Sequence, residues 1–187
     1  MERRTFLGAV MITPLAMTGL SGYQRTASAS AAESDQAIED MRRNWKALLA
    51  PNADVTLSTE PLRRTQAEWK KLLSKAQYDV LREDGTERAF SSPLDKEKRA
   101  GAYVCAGCGL PLFTSRMKYD SGTGWPSFWA PIPGAVATKV DFKLIYPRTE
   151  YHCRRCEGHQ GHVFDDGPKP TGKRYCNNGV ALKFIPA

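Results

Sequence analysis

The sequence predicts an α+β protein, mainly β, in which a few helices lead into a strand-rich half built around a four-cysteine zinc site. Three observations predict it. Helix-period apolar runs end near Gly85, short runs punctuated by Gly and Pro take over from Tyr103, and all five cysteines fall in that second half, four of them as two Cys-x-x-Cys pairs.

The 187-residue chain is long enough for one globular domain with a core and an appendage. Hydrophobic residues at 41% and charged residues at 25% are ordinary for a soluble protein and exclude a disordered chain or a membrane bundle. The net charge of +7 raises nucleic acid as a partner, but Lys and Arg are scattered among acids without a basic stripe, so no nucleic-acid partner is expected.

Residues 1–31 read as a twin-arginine-type signal peptide: Arg3 and Arg4, an apolar stretch from Phe6 to Leu20, then small residues over Ala27–Ala31. That stretch is about 15 residues broken by Thr13, Pro14 and Thr18, short of the roughly 20 a span needs, so cleavage is expected rather than anchoring. The expectation is an exported protein, periplasmic or otherwise extracytoplasmic, with no stable membrane association after cleavage. No cysteine precedes Cys105, which excludes a lipid-modified N-terminal cysteine.

Residues 32–60 form an N-terminal helix and linker: Ile38, Met41, Trp45, Leu48 and Leu49 recur at helical spacing until Pro51 stops them. Residues 61–187 form the main domain. Two capping boxes, Thr65-Gln66-Ala67-Glu68 and Ser74-Lys75-Ala76-Gln77, each open an apolar-periodic run and predict two more helices. Beyond Tyr103, the alternation of Val140, Phe142, Leu144 and Tyr146 predicts a strand, and Val180–Phe184 a final strand after a bend at Asn177-Asn178-Gly179.

Cys105, Cys108, Cys153 and Cys156 have the spacing of a tetrahedral four-thiolate site for one structural zinc ion, with Gly107 and Gly109 supplying the tight turn. Two disulfides are the alternative in an oxidising compartment, but a bridge across a two-residue gap closes a tiny loop and gains little. Cys176 is left over, behind Lys173 and Arg174, whose charges favour a thiolate, and ahead of Asn177 and Asn178, whose amides can hydrogen-bond a ligand. A lone cysteine is otherwise a small buried hydrophobe. His159 and His162 can donate protons to an oxygen leaving group, serve as metal ligands, or hold structure. Trp125, in a Gly/Pro loop, is either core packing or a face for an apolar ligand group.

Together these segments resemble the B-type methionine (R)-sulfoxide reductases: Tyr103-Val104-Cys105-Ala106-Gly107-Cys108, Asp120-Ser121-Gly122-Thr123-Gly124-Trp125-Pro126-Ser127-Phe128, Cys153-x-x-Cys156, Gly158-His159-Gln160-Gly161-His162-Val163-Phe164 and Arg174-Tyr175-Cys176. They run in the family's order from near Pro61 to the end. The resemblance implies an antiparallel β-sandwich core with helices leading in, zinc on the two cysteine pairs, and Cys176 as catalytic nucleophile. It also implies that Trp125 packs on the substrate S-methyl group, that His159, His162 and Asn178 line the sulfoxide oxygen, and that Arg174 belongs to the substrate site.

The implied function is reduction of protein-bound methionine (R)-sulfoxide, an oxidative-damage repair in which Cys176 attacks sulfur and becomes a sulfenic acid. Many relatives keep a resolving cysteine where this chain has Thr123, so a thioredoxin-like or small-thiol reductant must recycle Cys176. The residues at Asn177 and Gly179 also depart from the commoner Ile and Ser. The rival readings are a zinc-ribbon interaction module and a thiol-disulfide oxidoreductase built on the Cys-x-x-Cys pairs.

Overall fold

The structure is a computed structural model that describes residues 35–49, 51–53, 55–142 and 147–187, so the expected signal peptide lies outside the described residues. The chain divides into units 1–36 and 37–187, and the second holds the fold described below. Among the described residues no helix is long and apolar enough to cross a membrane.

Residues 37–43 are helical and tighten into a 3-10 turn over Asn44–Leu48, ending short of Pro51. The face predicted from spacing is the packed one: Ile38, Met41 and Trp45 lie against the core, and Arg42 Nε donates to the Pro131 carbonyl at 3.0 Å. Both predicted capping boxes form. Thr65 opens α1 (Gln66–Leu72) and Ser74 opens α2 (Lys75–Glu83), each side chain accepting from the third helical N–H while Glu68 or Gln77 reaches back. Each such cap is worth about 1 kcal/mol. Trp69 from α1 and Tyr78, Val80 and Leu81 from α2 enter the core.

Among the described residues nine strands follow: β1 (Gly101–Cys105), β2 (Pro111–Thr114), β3 (Lys118–Tyr119), β4 (Ser127–Phe128), β5 (Val136–Asp141), β6 (Arg148–Cys153), β7 (His159–Phe164), β8 (Arg174–Asn177) and β9 (Leu182–Pro186). They pair antiparallel into two sheets, ordered β2-β1-β9 and β3-β4-β8-β7-β6-β5. The core lies between them. Phe113 of β2 stacks on Phe128 of β4 at 4.1 Å, Tyr103 of β1 meets Phe128 edge-on at 4.9 Å, and Phe113 meets Tyr151 of β6 edge-on at 6.1 Å. Aromatic pairs in these geometries bind the two faces beyond simple area burial.

Two boundaries differ from the sequence reading. The last strand starts at Leu182 rather than Val180, because Gly179–Ala181 form a 3-10 turn on which Ala181 stays buried, and Asn177 ends β8 instead of lying in the bend. The strand read from Val140 onward is β5, which begins earlier at Val136; positions 143–146 lie outside the described residues.

Candidate active site

Each cysteine pair sits where a strand turns out of its sheet. Cys105 ends β1 and Cys153 ends β6, and the two turns share one hydrogen-bond plan. Cys105 N–H donates to Leu110 O (2.8 Å) and Gly109 N–H to Cys105 O (2.8 Å), while Cys153 N–H donates to Gly158 O (2.9 Å) and Glu157 N–H to Cys153 O (2.8 Å). The fourth turn residue must be left-handed, φ +75° at Gly109 and +58° at Glu157. Gly107 is not at positive φ, so the conformational demand falls on Gly109 alone of the two glycines expected to make the turn.

The four sulfurs lie within 4.8 Å of one another, with Cys105 to Cys156 at 3.6 Å and Cys108 to Cys153 at 3.5 Å. A disulfide needs about 2.0 Å. Four thiolates at about 2.3 Å from one tetrahedral zinc stand about 3.8 Å apart, which these separations approach. Hydrogen bonding among the four sulfurs pushes the Cys105 thiol well up and pulls those of Cys108 and Cys156 down, so the cluster carries thiolate charge that a bound dication would neutralise. The residues therefore fit a four-thiolate metal ion, and it would tie one sheet to the other at the β1 and β6 ends.

Cys176 lies in β8, flanked by β7 and β4, where it pairs across the ladders with His162 and Ser127. Residues opposed in register share a face. The row continues outward through Glu150 and Lys139 on one side and Tyr119 on the other. Gly161 permits the close approach of β7 to β8: a Cβ there would sit 1.9 Å from the Cys176 carbonyl oxygen.

A cavity of about 120 Å³ opens over this row, lined by Trp125, Arg148, His162, Phe164, Cys176 and Asn178 among others. That volume is well under the roughly 300 Å³ of a drug-sized pocket and accommodates the end of one side chain. Burial pushes the Cys176 thiol up, while Arg174 and the Thr123 hydroxyl pull it back toward the thiolate. The balance is upward, because Lys173 is turned to Asp165 and only Arg174 of the two expected cations acts on the sulfur.

His162 Nε2 lies 2.8 Å from Asp141 Oδ2, which also receives Arg148 Nη2 at 2.7 Å. Burial pushes the imidazole below its ordinary value, and the Asp141 carboxylate opposes that shift. His159 is buried behind it, outside the cavity lining, its Nδ1 3.0 Å from Glu150 and its ring centroid 5.4 Å from that of His162. Arg174 also stays out of the lining; it forms a two-bond pair with Asp166 at 2.8 Å and lies over the Phe164 ring.

Asn178 lines the cavity, but both ends of its amide are engaged: Nδ2 donates to Gln160 O at 3.0 Å and Oδ1 accepts from Glu87 N–H at 3.0 Å. Asn177 is fully buried and links Tyr151, the Asn178 carbonyl and Gln160, whose amide reaches Cys105 Sγ at 3.5 Å. The departure at 177 is thus a hydrogen-bonded strut between the sulfur cluster and the Cys176 strand.

Sequence reasoning missed Glu87, Asp141 and Arg148. Glu87, just after α2, accepts from Trp125 Nε1 through its carbonyl at 3.2 Å and from the Gly179 and Val180 N–H groups through its carboxylate, fixing both the indole and the turn after Cys176. Nothing local marks it. Asp141 was hidden by the alternation, in which it takes a polar, outward position, whereas the fold buries it and exposes Val140 and Phe142.

The SelR domain family matches residues 73–186, well over half of the chain. A peptide methionine sulfoxide reductase MsrB of Hahella chejuensis is 50% identical over 126 residues, 67% of this chain and 91% of that protein. The chloroplastic peptide methionine sulfoxide reductase B1 of Arabidopsis thaliana is 45% identical over 166 residues, 88% of this chain and 74% of that one. An MsrB of Bradyrhizobium diazoefficiens is 48% identical over 137 residues, 73% of this chain and 99% of its own length. With the sulfur cluster, the Cys176 cavity and these matches in agreement, the chain belongs to the SelR-domain family, that of the B-type peptide methionine sulfoxide reductases.

Proposed function

We propose that this protein reduces (R)-methionine sulfoxide in oxidised proteins, with Cys176 as nucleophile and His162 as the group that handles the proton. The observation that carries the reading is the convergence of Cys176, His162 and Trp125 on one small cavity. The Trp125 indole, held by its N–H on the Glu87 carbonyl, offers an apolar face for the S-methyl group.

In the resting pair the thiol is protonated and the imidazole neutral, the state that the upward shift on Cys176 and the downward shift on His162 both favour. The thiol passes its proton to His162, and Asp141 steadies the imidazolium. The thiolate attacks the sulfoxide sulfur and forms a sulfur–sulfur bond, His162 delivers the proton to the oxygen, and the resulting hydroxyl passes to the Cys176 sulfur as the substrate sulfur–oxygen bond and the new sulfur–sulfur bond break. Methionine leaves and Cys176 becomes a sulfenic acid; the sulfoxide gains two electrons and the cysteine loses two. A thiol reductant then condenses with the sulfenic acid, releasing water, and a second thiol frees Cys176. His159 supports His162 from behind, and Arg174 acts on the Cys176 sulfur rather than lining the cavity.

Cys105, Cys108, Cys153 and Cys156 would hold zinc, which supplies folding energy and takes no part in turnover. The electron source is a thioredoxin-like protein or small thiol outside the chain, since Thr123 offers no sulfur. The N-terminal segment directs the enzyme out of the cytoplasm. One equivalent of peptide sulfoxide without reductant yields one methionine per enzyme and a Cys176 adduct with a dimedone-type trap. Cys176 found bridged to Cys105, Cys108, Cys153 or Cys156 by mass spectrometry would overturn this cycle.

A further inference from the structure

Three buried polar atoms converge behind His162 with no hydrogen bond among them. Glu150 Oε1 stands 3.0 Å from His159 Nδ1 and 4.0 Å from His152 Nδ1. Among the described residues none of these three atoms has a hydrogen-bond partner, and His159 Nε2 has none either. Glu150 is 3% exposed and His159 1%. Buried polar atoms are paired as a rule, so orphans gathered at one point call for an ion or a water between them.

A bulge assembles the group. Tyr151 pairs with Gly161 but His152 with His159, so Gln160 is the extra residue on β7, and His159 is brought to the face that carries Glu150 and His152. From the helical side comes Asp84, the left-handed residue at φ +51° that ends α2. The ligand atoms of Asp84, Glu150 and His159 all lie within 4.8 Å of one another. Lys139, opposite Glu150 on β5, answers part of the negative charge from the rim: its ammonium is 3.0 Å from Glu150 Oε2 and 3.9 Å from Asp84, and it leaves Oε1 to the imidazoles. Two ligand atoms set at right angles about 2.1 Å from an ion stand about 3.0 Å apart, the separation of His159 Nδ1 and Glu150 Oε1. Opposite ligands stand about 4.2 Å apart, so the set as a whole closes on an ion with a shift of at most about 0.6 Å.

We propose that Asp84, Glu150 and His159 bind a second metal ion, a divalent cation of the manganese or iron(II) class, with His152 at its edge. Two carboxylates and an imidazole are a harder donor set than four thiolates, so the two sites take different ions. The ion ties the end of α2 to β6 and β7. It also fixes the ring of His159, whose centroid lies 5.4 Å from that of His162.

The probe is manganese(II), titrated into the full-length zinc-loaded protein and followed by loss of the paramagnetic resonance signal of the free ion. One manganese per chain should bind while elemental analysis shows the zinc retained, and spin-echo modulation should show an imidazole nitrogen coupled to the bound ion. Glu150→Gln should weaken binding more than about a hundredfold, beyond the about 10–100-fold that a partner outside the ligand set is worth. Absence of binding by the unaltered protein overturns the proposal, since water then serves the orphaned atoms. Displacement of the zinc, binding without an imidazole signature, or equal binding by Glu150→Gln overturns it too. The first three readings use the unaltered protein, so they decide the matter even where Glu150→Gln fails to fold. Binding requires no turnover, so the second site stands or falls apart from the sulfoxide activity.

Discussion

Leu81→Ala tests whether α2 and the two cysteine turns form one mechanical unit. Leu81 is 1% exposed, and each of its methyls faces a different turn: a Cβ on Gly107 would lie 3.6 Å from Leu81 Cδ1, and one on Gly158 3.0 Å from Leu81 Cδ2. Truncating a buried leucine to alanine costs about 2.7–5 kcal/mol, the spread reflecting how far the cavity collapses. Here the walls are hydrogen-bonded turns bearing the sulfur cluster and can move little, so about 4 kcal/mol is expected. At about 2–4 °C per kcal/mol for a domain of this size, Tm falls by about 8–16 °C. Leu72, 56% exposed on α1, is the control, and Leu72→Ala should stay within about 0.5 kcal/mol. Calorimetry of the metal-loaded protein gives both values, and release to a colorimetric chelator should be faster in Leu81→Ala. A loss under about 1 kcal/mol, or equality with Leu72→Ala, would refute the coupling of α2 to the knuckles.

Cys108→Ser should yield protein without zinc that is largely unfolded by circular dichroism, since structural zinc contributes about 10–16 kcal/mol against a typical net stability of about 5–15 kcal/mol. Gly161→Ala drives a methyl toward the Cys176 carbonyl and should lower kcat/KM more than tenfold while costing about 1–3 kcal/mol in denaturant unfolding. In Asp141→Asn the carboxylate that raises the His162 pKa is gone, so that pKa falls further. Because the imidazolium cannot accept the Cys176 proton, the acid limb of kcat/KM should move to lower pH; an unmoved limb contradicts the assignment. In stability the sign is the same kind: folded His162 binds its proton more weakly than the usual value of about 6.5, so its contribution is present above that pH and lost as pH falls.

Much of this architecture was legible because it is local. The capping boxes at Thr65 and Ser74 and the two-residue cysteine gaps are patterns within one turn of chain, and each forms as read. The β-sandwich reading also holds, with both sheets antiparallel. What stayed hidden depends on pairings between distant segments. Glu87 reaches Asn178, Gly179 and Val180 across about 90 positions of sequence, and Asp141 meets His162 across an intervening strand. The nearness of His159 to His162 was unreadable too, because positions three apart in a regular strand face opposite ways, and the register shift between Tyr151 and His152 is what lets the two rings approach to 5.4 Å. For Arg174 the sequence shows a cation near a nucleophile, and only the fold reveals that Asp166 and Phe164 hold it.

The central claim is that Cys176 reduces one epimer of methionine sulfoxide in polypeptides. The most direct test is turnover of two peptides that differ only in the configuration at sulfur, with a small dithiol as reductant, alongside the Cys176→Ser protein. The account predicts complete reduction of the (R) peptide, none of the (S) peptide, and no reduction of either by Cys176→Ser with its zinc retained. Reduction of the (S) peptide alone, or undiminished turnover by Cys176→Ser, would contradict it.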